Sequence, residues 1–191
     1  MTLLQIMPDD APDTVLFRTR DEEAIAQALR ERSISFTRWP SRVQVTPRTS
    51  SEELLHAYRA EIGELCADQG LRLVDVARLH PEDGPAWQER AAKARSMFLD
   101  EHRHTEDEVR FFAHGTGCFY LHLDDRVYAV VCEAGDLLSV PAGTRHWFDM
   151  GPVPDFCAIR FFENEDGWVG DFTREPIAEG FPHLDALLGE R

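Results

Sequence analysis

The chain has 191 residues, 43% of them hydrophobic and 29% charged, with a formal net charge of −15. That length suits one domain with a sizeable core, and the acidity argues against nucleic acid or an anionic membrane as partner, because both need a basic face. No stretch approaches the ~20 apolar residues of a bilayer-spanning helix, and MTLLQIMPDDAPDT at the N-terminus lacks the basic leader and long apolar run of a secretory signal. A cytoplasmic protein is expected, with a monomer as the first expectation for an acidic surface.

In chain order, TRDEEAIAQALRER (residues 19–32) opens with Thr19 and carries Glu22 three residues later, the spacing of a capping box, and predicts a helix. SISFTRW (33–39) reads as a strand. SSEELLHAYRAEIGELCADQG (50–70) repeats the capping signal with Ser50 and Glu53, puts Leu54, Tyr58, Ile62 and Leu65 on one helical face, and ends at Gly70. LRLVDVARL (71–79) predicts a second strand, and Pro85 starts a third helix through AWQERAAKARSMF. From about residue 98 the pattern changes. EVRFFAHGTGCFYLHL, RVYAVVCEAGDLLSVPAG and DFCAIRFFEN are strand-like runs broken by Gly, Pro and Asp, the density expected of an antiparallel sandwich or barrel, with HGTG read as a turn. The helices of the first half are expected to pack against it.

The four cysteines, Cys66, Cys118, Cys132 and Cys157, have no C-x-x-C spacing, and three sit in apolar strand-like runs. All four read as reduced thiols, and Cys118, Cys132 and Cys157 as small buried hydrophobes, rather than a disulfide framework.

EHRHTEDEVRF (101–111) crowds two histidines, four acidic residues and two arginines before an apolar run, and such groups resist burial unless paired or bound. On a strand His102 and His104 face one side, and Glu108 follows. His146, in GDLLSVPAGTRHWFDMG, lies beyond turn residues that can return it beside them. Three imidazoles and a carboxylate suit a first-row ion such as Fe(II), Ni(II), Mn(II) or Zn(II); calcium wants more oxygens and structural zinc more cysteine. His56, His80, His114, His122 and His183 read as ordinary hydrogen-bonded histidines.

These segments resemble a known superfamily. HRHTEDEVRFFAHG fits the first cupin motif and GDLLSVPAGTRH the second, with departures only at Ser96, where glycine is common, and Met150, where asparagine is common. FLDEHRHTEDEVRFF, VYAVVCEAGDLLSVPAGTRHWFDMG and IRFFENEDGWVGDFT, in that order over residues 98–174, resemble the acireductone dioxygenase family more closely. The resemblance implies a mainly β fold, a cupin double-stranded β-helix (jelly-roll barrel) with N-terminal helices packed on it. The chain then divides into a mixed part (1–97), a metal-binding barrel (98–163) and an extension (164–191). It also implies His102, His104, Glu108 and His146 as ligands of one Fe(2+) or Ni(2+).

Arg110, two positions beyond Glu108, falls on the same strand face. A cation beside a metal is explained by an anionic substrate, and the family resemblance implies that Arg110 helps generate an enediolate dianion; the alternative is a salt bridge to Glu106 or Asp107. Arg160, within FCAIRFF, needs a partner, either substrate or a carboxylate. Phe148 and Trp168 are candidates to line a pocket for an apolar thioether tail, with Trp147 read as core. Glu101 and Asp107 adjoin the ligands and are candidates to orient the metal from behind them.

The implied reaction is cleavage of acireductone by O2 in methionine salvage. In this family iron gives formate and the keto-acid precursor of methionine, whereas nickel gives formate, carbon monoxide and methylthiopropionate. The rival readings are another cupin metalloenzyme, dioxygenase or isomerase, which would lack the HWFDMG and IRFFENEDGWV contexts, and a non-enzymatic cupin, which would more readily lose a ligand.

Overall fold

The structure is a computed structural model and describes residues 1–167 and 169–189. The first half supplies β1 (Leu3–Pro8), β2 (Phe17–Thr19), α1 (Glu22–Arg30), β3 (Ser35–Arg38), α2 (Ser51–Ala57), α3 (Arg59–Gln69), β4 (Leu73–Leu79) and α4 (Pro85–Ser96). The second supplies β5 (His102–Arg103), β6 (Glu108–Leu123), β7 (Arg126–Glu133), β8 (Asp136–Val140), β9 (Arg145–Asp149), β10 (Phe156–Phe162), β11 (Asp171–Phe172) and α5 (Leu184–Gly189).

All strand pairings among the described residues are antiparallel and form two sheets. One runs β11-β5-β9-β6-β7-β1-β2, the other β4-β10-β6-β8-β3. The shared strand β6 closes the structure. Its first half pairs with β8 and β10, and its second half, from Thr116, pairs with β7 and β9. The predicted turn at HGTG is therefore absent: β6 continues for 16 residues and bends there instead. Gly115 makes the bend possible. Its φ is +72°, and a Cβ would fall 2.7 Å from the Asp155 carbonyl carbon, so only glycine admits β10 this close.

The expected strands and helices otherwise form, with two corrections to local detail. Asp21, not Thr19, caps α1, accepting from Ala24 N at 2.8 Å, because Thr19 is held in the β2 ladder opposite Leu4. The long helix after Ser50 divides at Tyr58, whose φ and ψ of −102° and 14° separate α2 from α3. The Ser50–Glu53 capping box and the left-handed Gly70 cap are both present. Leu54 and Tyr58 stay buried on the shared face, against Phe111, Ile159 and Phe161 of the β6–β10 ladder. All four cysteines are free thiols, with Cys118, Cys132 and Cys157 buried.

Asp149, at the end of β9, ties both flanking helices to the barrel. It is fully buried, pairs with Arg95 of α4 at 2.7 and 3.0 Å, and accepts from Gly151 N and Leu184 N. Burial opposes its charge, but Arg95 and the two amides outweigh that and hold the carboxyl below its usual range. The pair's contribution is thus complete above the unfolded carboxyl value of ~3.9 and is lost as pH falls through the depressed folded value. Asp149→Asn is expected to cost about 2–4 kcal/mol in urea unfolding, by leaving Arg95 without its anion; a change under ~0.5 kcal/mol would show the pair contributes nothing net.

Candidate metal centre

The histidines converge because β5 and β9 pair through one register position, His102 opposite His146. His104 falls in the loop after β5, not on a continuous strand. Its main-chain carbonyl accepts from Gly143 N at 2.9 Å, which pins that loop to the turn before β9. The ring centroids are 4.6 Å apart for His102–His146, 5.1 Å for His102–His104 and 5.2 Å for His104–His146. One nitrogen from each lies within 4.8 Å of the other two, and all three residues are buried. Glu108, the first residue of β6, brings Oε2 to 3.3 Å from His104 Nε2.

Each imidazole is oriented by the main chain. His102 Nδ1 lies 2.8 Å from the Asp100 carbonyl, His104 Nδ1 2.9 Å from that of Val169, and His146 Nδ1 2.9 Å from that of Thr144. A carbonyl only accepts, so each Nδ1 carries a proton and Nε2 is the nitrogen left to meet a metal. Burial pushes the His146 ring down to about 4 and also lowers His102, so both are neutral at pH 7. Three imidazoles and a carboxylate converging in this way fit a first-row divalent cation, which binds them in their deprotonated forms.

Glu108 also faces Arg110, whose Nη2 lies 2.7 Å from its Oε1. Burial disfavours the Glu108 carboxylate, yet Arg110, then His146, His104 and His102, overcome this and hold it below the usual carboxylate range. The Arg110 side chain is largely shielded too, 12% exposed, and desolvation lowers its affinity for the proton despite Glu108. Glu106 and Asp107 are engaged elsewhere: Glu106 accepts from Glu163 N and Asn164 N, and Asp107 from Ala142 N. Arg160 stands opposite Arg110 across the β10–β6 ladder but is held by Asp75 at 2.7 and 2.5 Å. The carboxylate reading of its partner is the one observed. Glu101 is buried against His122, Oε1 to Nδ1 2.5 Å, rather than against a triad imidazole. The orienting role expected of Glu101 and Asp107 thus falls to the three carbonyls.

The triad, Glu108 and Arg110 line a pocket whose other walls are mainly apolar, from Phe98, Phe112, Phe119, Phe148, Met150 and Phe156, with Arg160 also in its lining. Phe148 lines this pocket. Trp168 lies outside the described residues, and Trp147 is core, stacked on Tyr120. One contributor went unnoticed in the sequence. A Cβ on Gly117 would lie 2.6 Å from Phe148 Cε2, and closer still to Cζ, so this glycine makes room for the ring. Its one signal was a glycine inside a strand pattern, the mark of close approach.

Two antiparallel sheets sharing one bent strand, with a histidine triad and a carboxylate in the lining of an apolar cavity, define a cupin with a candidate metal centre. The ARD/ARD' family matches residues 3–170. "Acireductone dioxygenase 1" of Nocardia farcinica is 60% identical over 190 residues, covering 99% of this chain and all of that protein. The acireductone dioxygenase of Saccharopolyspora erythraea is 52% identical over 191 residues, the full length of both chains. A solved acireductone dioxygenase from Bacillus anthracis, with a cadmium ion in its active centre, superposes with a TM-score of 0.76 at 27% identity, over 90% of this chain and 98% of that one. The chain belongs to the ARD/ARD' family, and it is an enzyme, an oxidoreductase of the dioxygenase class.

Proposed function

We propose that this enzyme cleaves acireductone, 1,2-dihydroxy-5-(methylthio)pent-1-en-3-one, with O2 in the cytoplasm as a step of methionine salvage, acting as a monomer. His102, His104, Glu108 and His146 would hold one Fe(2+) or Ni(2+). The ion supplies Lewis acidity and a template for a chelating enediolate. The observation that carries this reading is the Glu108–Arg110 pair, whose side chains are 8% and 12% exposed, beside the triad in the lining of an apolar pocket. A divalent ion, Glu108 and Arg110 sum to two positive charges, which an enediolate dianion neutralises. Arg110 donates to that anion, while the aromatic walls receive the methylthio tail and exclude water. Arg160, already bound to Asp75, can add only a weaker attraction.

The same four side chains serve either ion, so the ion sets the product. Iron-loaded enzyme is expected to give 4-methylthio-2-oxobutanoate and formate, and nickel-loaded enzyme 3-methylthiopropanoate, formate and CO. Product analysis after reconstitution with each ion tests this. Consumption of acireductone no faster than its uncatalysed oxidation, with either ion, would sink the reading.

Phe148 should set how much tail the pocket accepts. Gly117→Ala drives the ring toward the cavity and is expected to raise KM about 5- to 30-fold, from roughly 1–2 kcal/mol of overpacking, with a smaller effect on kcat. Adding Phe148→Leu should restore KM. If the single variant keeps the wild-type KM, Phe148 does not bound the substrate.

A further inference from the structure

A second set of donors gathers where β4, β10 and β6 lie side by side. Phe156 of β10 is the register partner of Leu79 on one flank and of Gly115 on the other. The residues next to these three, Asp155, His80 and His114, are therefore brought together by three adjacent strands. His80 Nδ1 lies 2.8 Å from Asp155 Oδ1, and His114 Nε2 lies 3.4 Å from the same oxygen. One donor atom from each residue falls within 4.8 Å of the other two. The cluster shares no residue with the His102–His104–His146 triad and does not line its pocket.

We propose that His80, His114 and Asp155 form a second site for a first-row divalent cation such as Zn2+ or Ni2+, distinct from the centre of the dioxygenase. Two imidazoles and a carboxylate suit these ions, and coordinating water completes the shell; one carboxylate is too little oxygen for calcium. The donors are preorganised. The Gly115 bend seats His114 against the Asp155 main chain, where a Cβ at position 115 has no room. The His80 side chain is only 10% exposed, and its carbonyl is anchored by Trp87 Nε1 at 2.7 Å. Hydrogen bonding alone accounts poorly for the arrangement. A single Asp155 oxygen serves two imidazole nitrogens, His80 Nδ1 and His114 Nε2. A cation replaces both N–H donors with one ion that binds both lone pairs and the carboxylate together.

The test is equilibrium dialysis of the full metal-free chain against Zn2+, with metal analysis per chain. Wild type is expected to bind two equivalents. His114→Ala should bind one, the other weakened by about 100-fold or more, since even the outer partners of a ligand are worth 10- to 100-fold. Asp155→Asn, at a half-exposed residue, repeats the test should the first variant fold poorly, with circular dichroism reporting the fold of each. His102→Ala/His146→Ala should retain one equivalent, and adding His114→Ala should remove it. Turnover of His114→Ala, loaded at the first centre, should match wild type. One equivalent in wild type, two undiminished in both His114→Ala and Asp155→Asn, or none in His102→Ala/His146→Ala would overturn the second site.

Discussion

Arg110→Ala is expected to slow single-turnover consumption of acireductone about 30- to 1000-fold while the bound metal stays in place. A charge-assisted hydrogen bond that strengthens as the enediolate forms is worth about 2–4 kcal/mol. Arg110 is well placed to make one. Its guanidinium is largely shielded in the pocket lining, over the Phe162 ring at 5.2 Å, and its only carboxylate contact is Glu108 among the described residues. Burial makes that cation costly, and a bound dianion relieves the cost. Arg110→Lys should recover part of the rate, because it keeps the charge but loses the planar fork that spans Glu108 and substrate. An arginine serving only to neutralise Glu108 would behave otherwise. Its loss would lower stability and metal affinity and leave turnover per bound metal near wild type, and that result would remove Arg110 from the reaction.

Glu108→Ala is expected to release the metal and abolish turnover together. The substitution deletes the anionic donor and leaves three neutral imidazoles to hold a dication. It also leaves Arg110 largely shielded without its partner, next to the cation, and that repulsion adds to the loss. Glu108→Gln separates the two effects: it keeps an oxygen donor but not the charge, so metal affinity should fall less than in Glu108→Ala, with activity still low. Metal content and turnover both unchanged in Glu108→Ala would mean that Glu108 holds no ion. Of the other carboxylates nearby, Glu101, Glu106 and Asp107 are committed to His122, to the 163–164 main chain and to Ala142.

How far the candidate site could be read in advance depends on what each part of it is made of. His102, His104, Glu108 and His146 were legible because side-chain chemistry is written in the residue type and their spacing follows the strand and turn signals around them. The helices at 51–69 and 85–96 were legible for the same reason: caps and apolar periodicity are local. The division at Tyr58 was not, since it arises where the ring packs under Trp39 and Phe111, residues far away in the chain. Nor was β1, whose short apolar run gains its identity only from pairing with β7.

By itself the sequence determined which side chains are candidates for the site, the strand-rich second half and the excess of acidic residues, all of them properties carried by residues or their near neighbours. Tertiary structure decided what those residues face. The HGTG segment has the composition of a turn, yet the close approach of Asp155 and the ladders on both flanks carry β6 straight through it as a bend. The triad is oriented by the carbonyls of Asp100, Thr144 and Val169 rather than by the neighbouring acids. Every residue has a carbonyl, so no residue type announces that role. Arg110 and Arg160 are alike in sequence context and stand opposite each other in the sheet. Glu108 turns one toward the histidines and Asp75 holds the other, because the strand register, and nothing local, chose their partners.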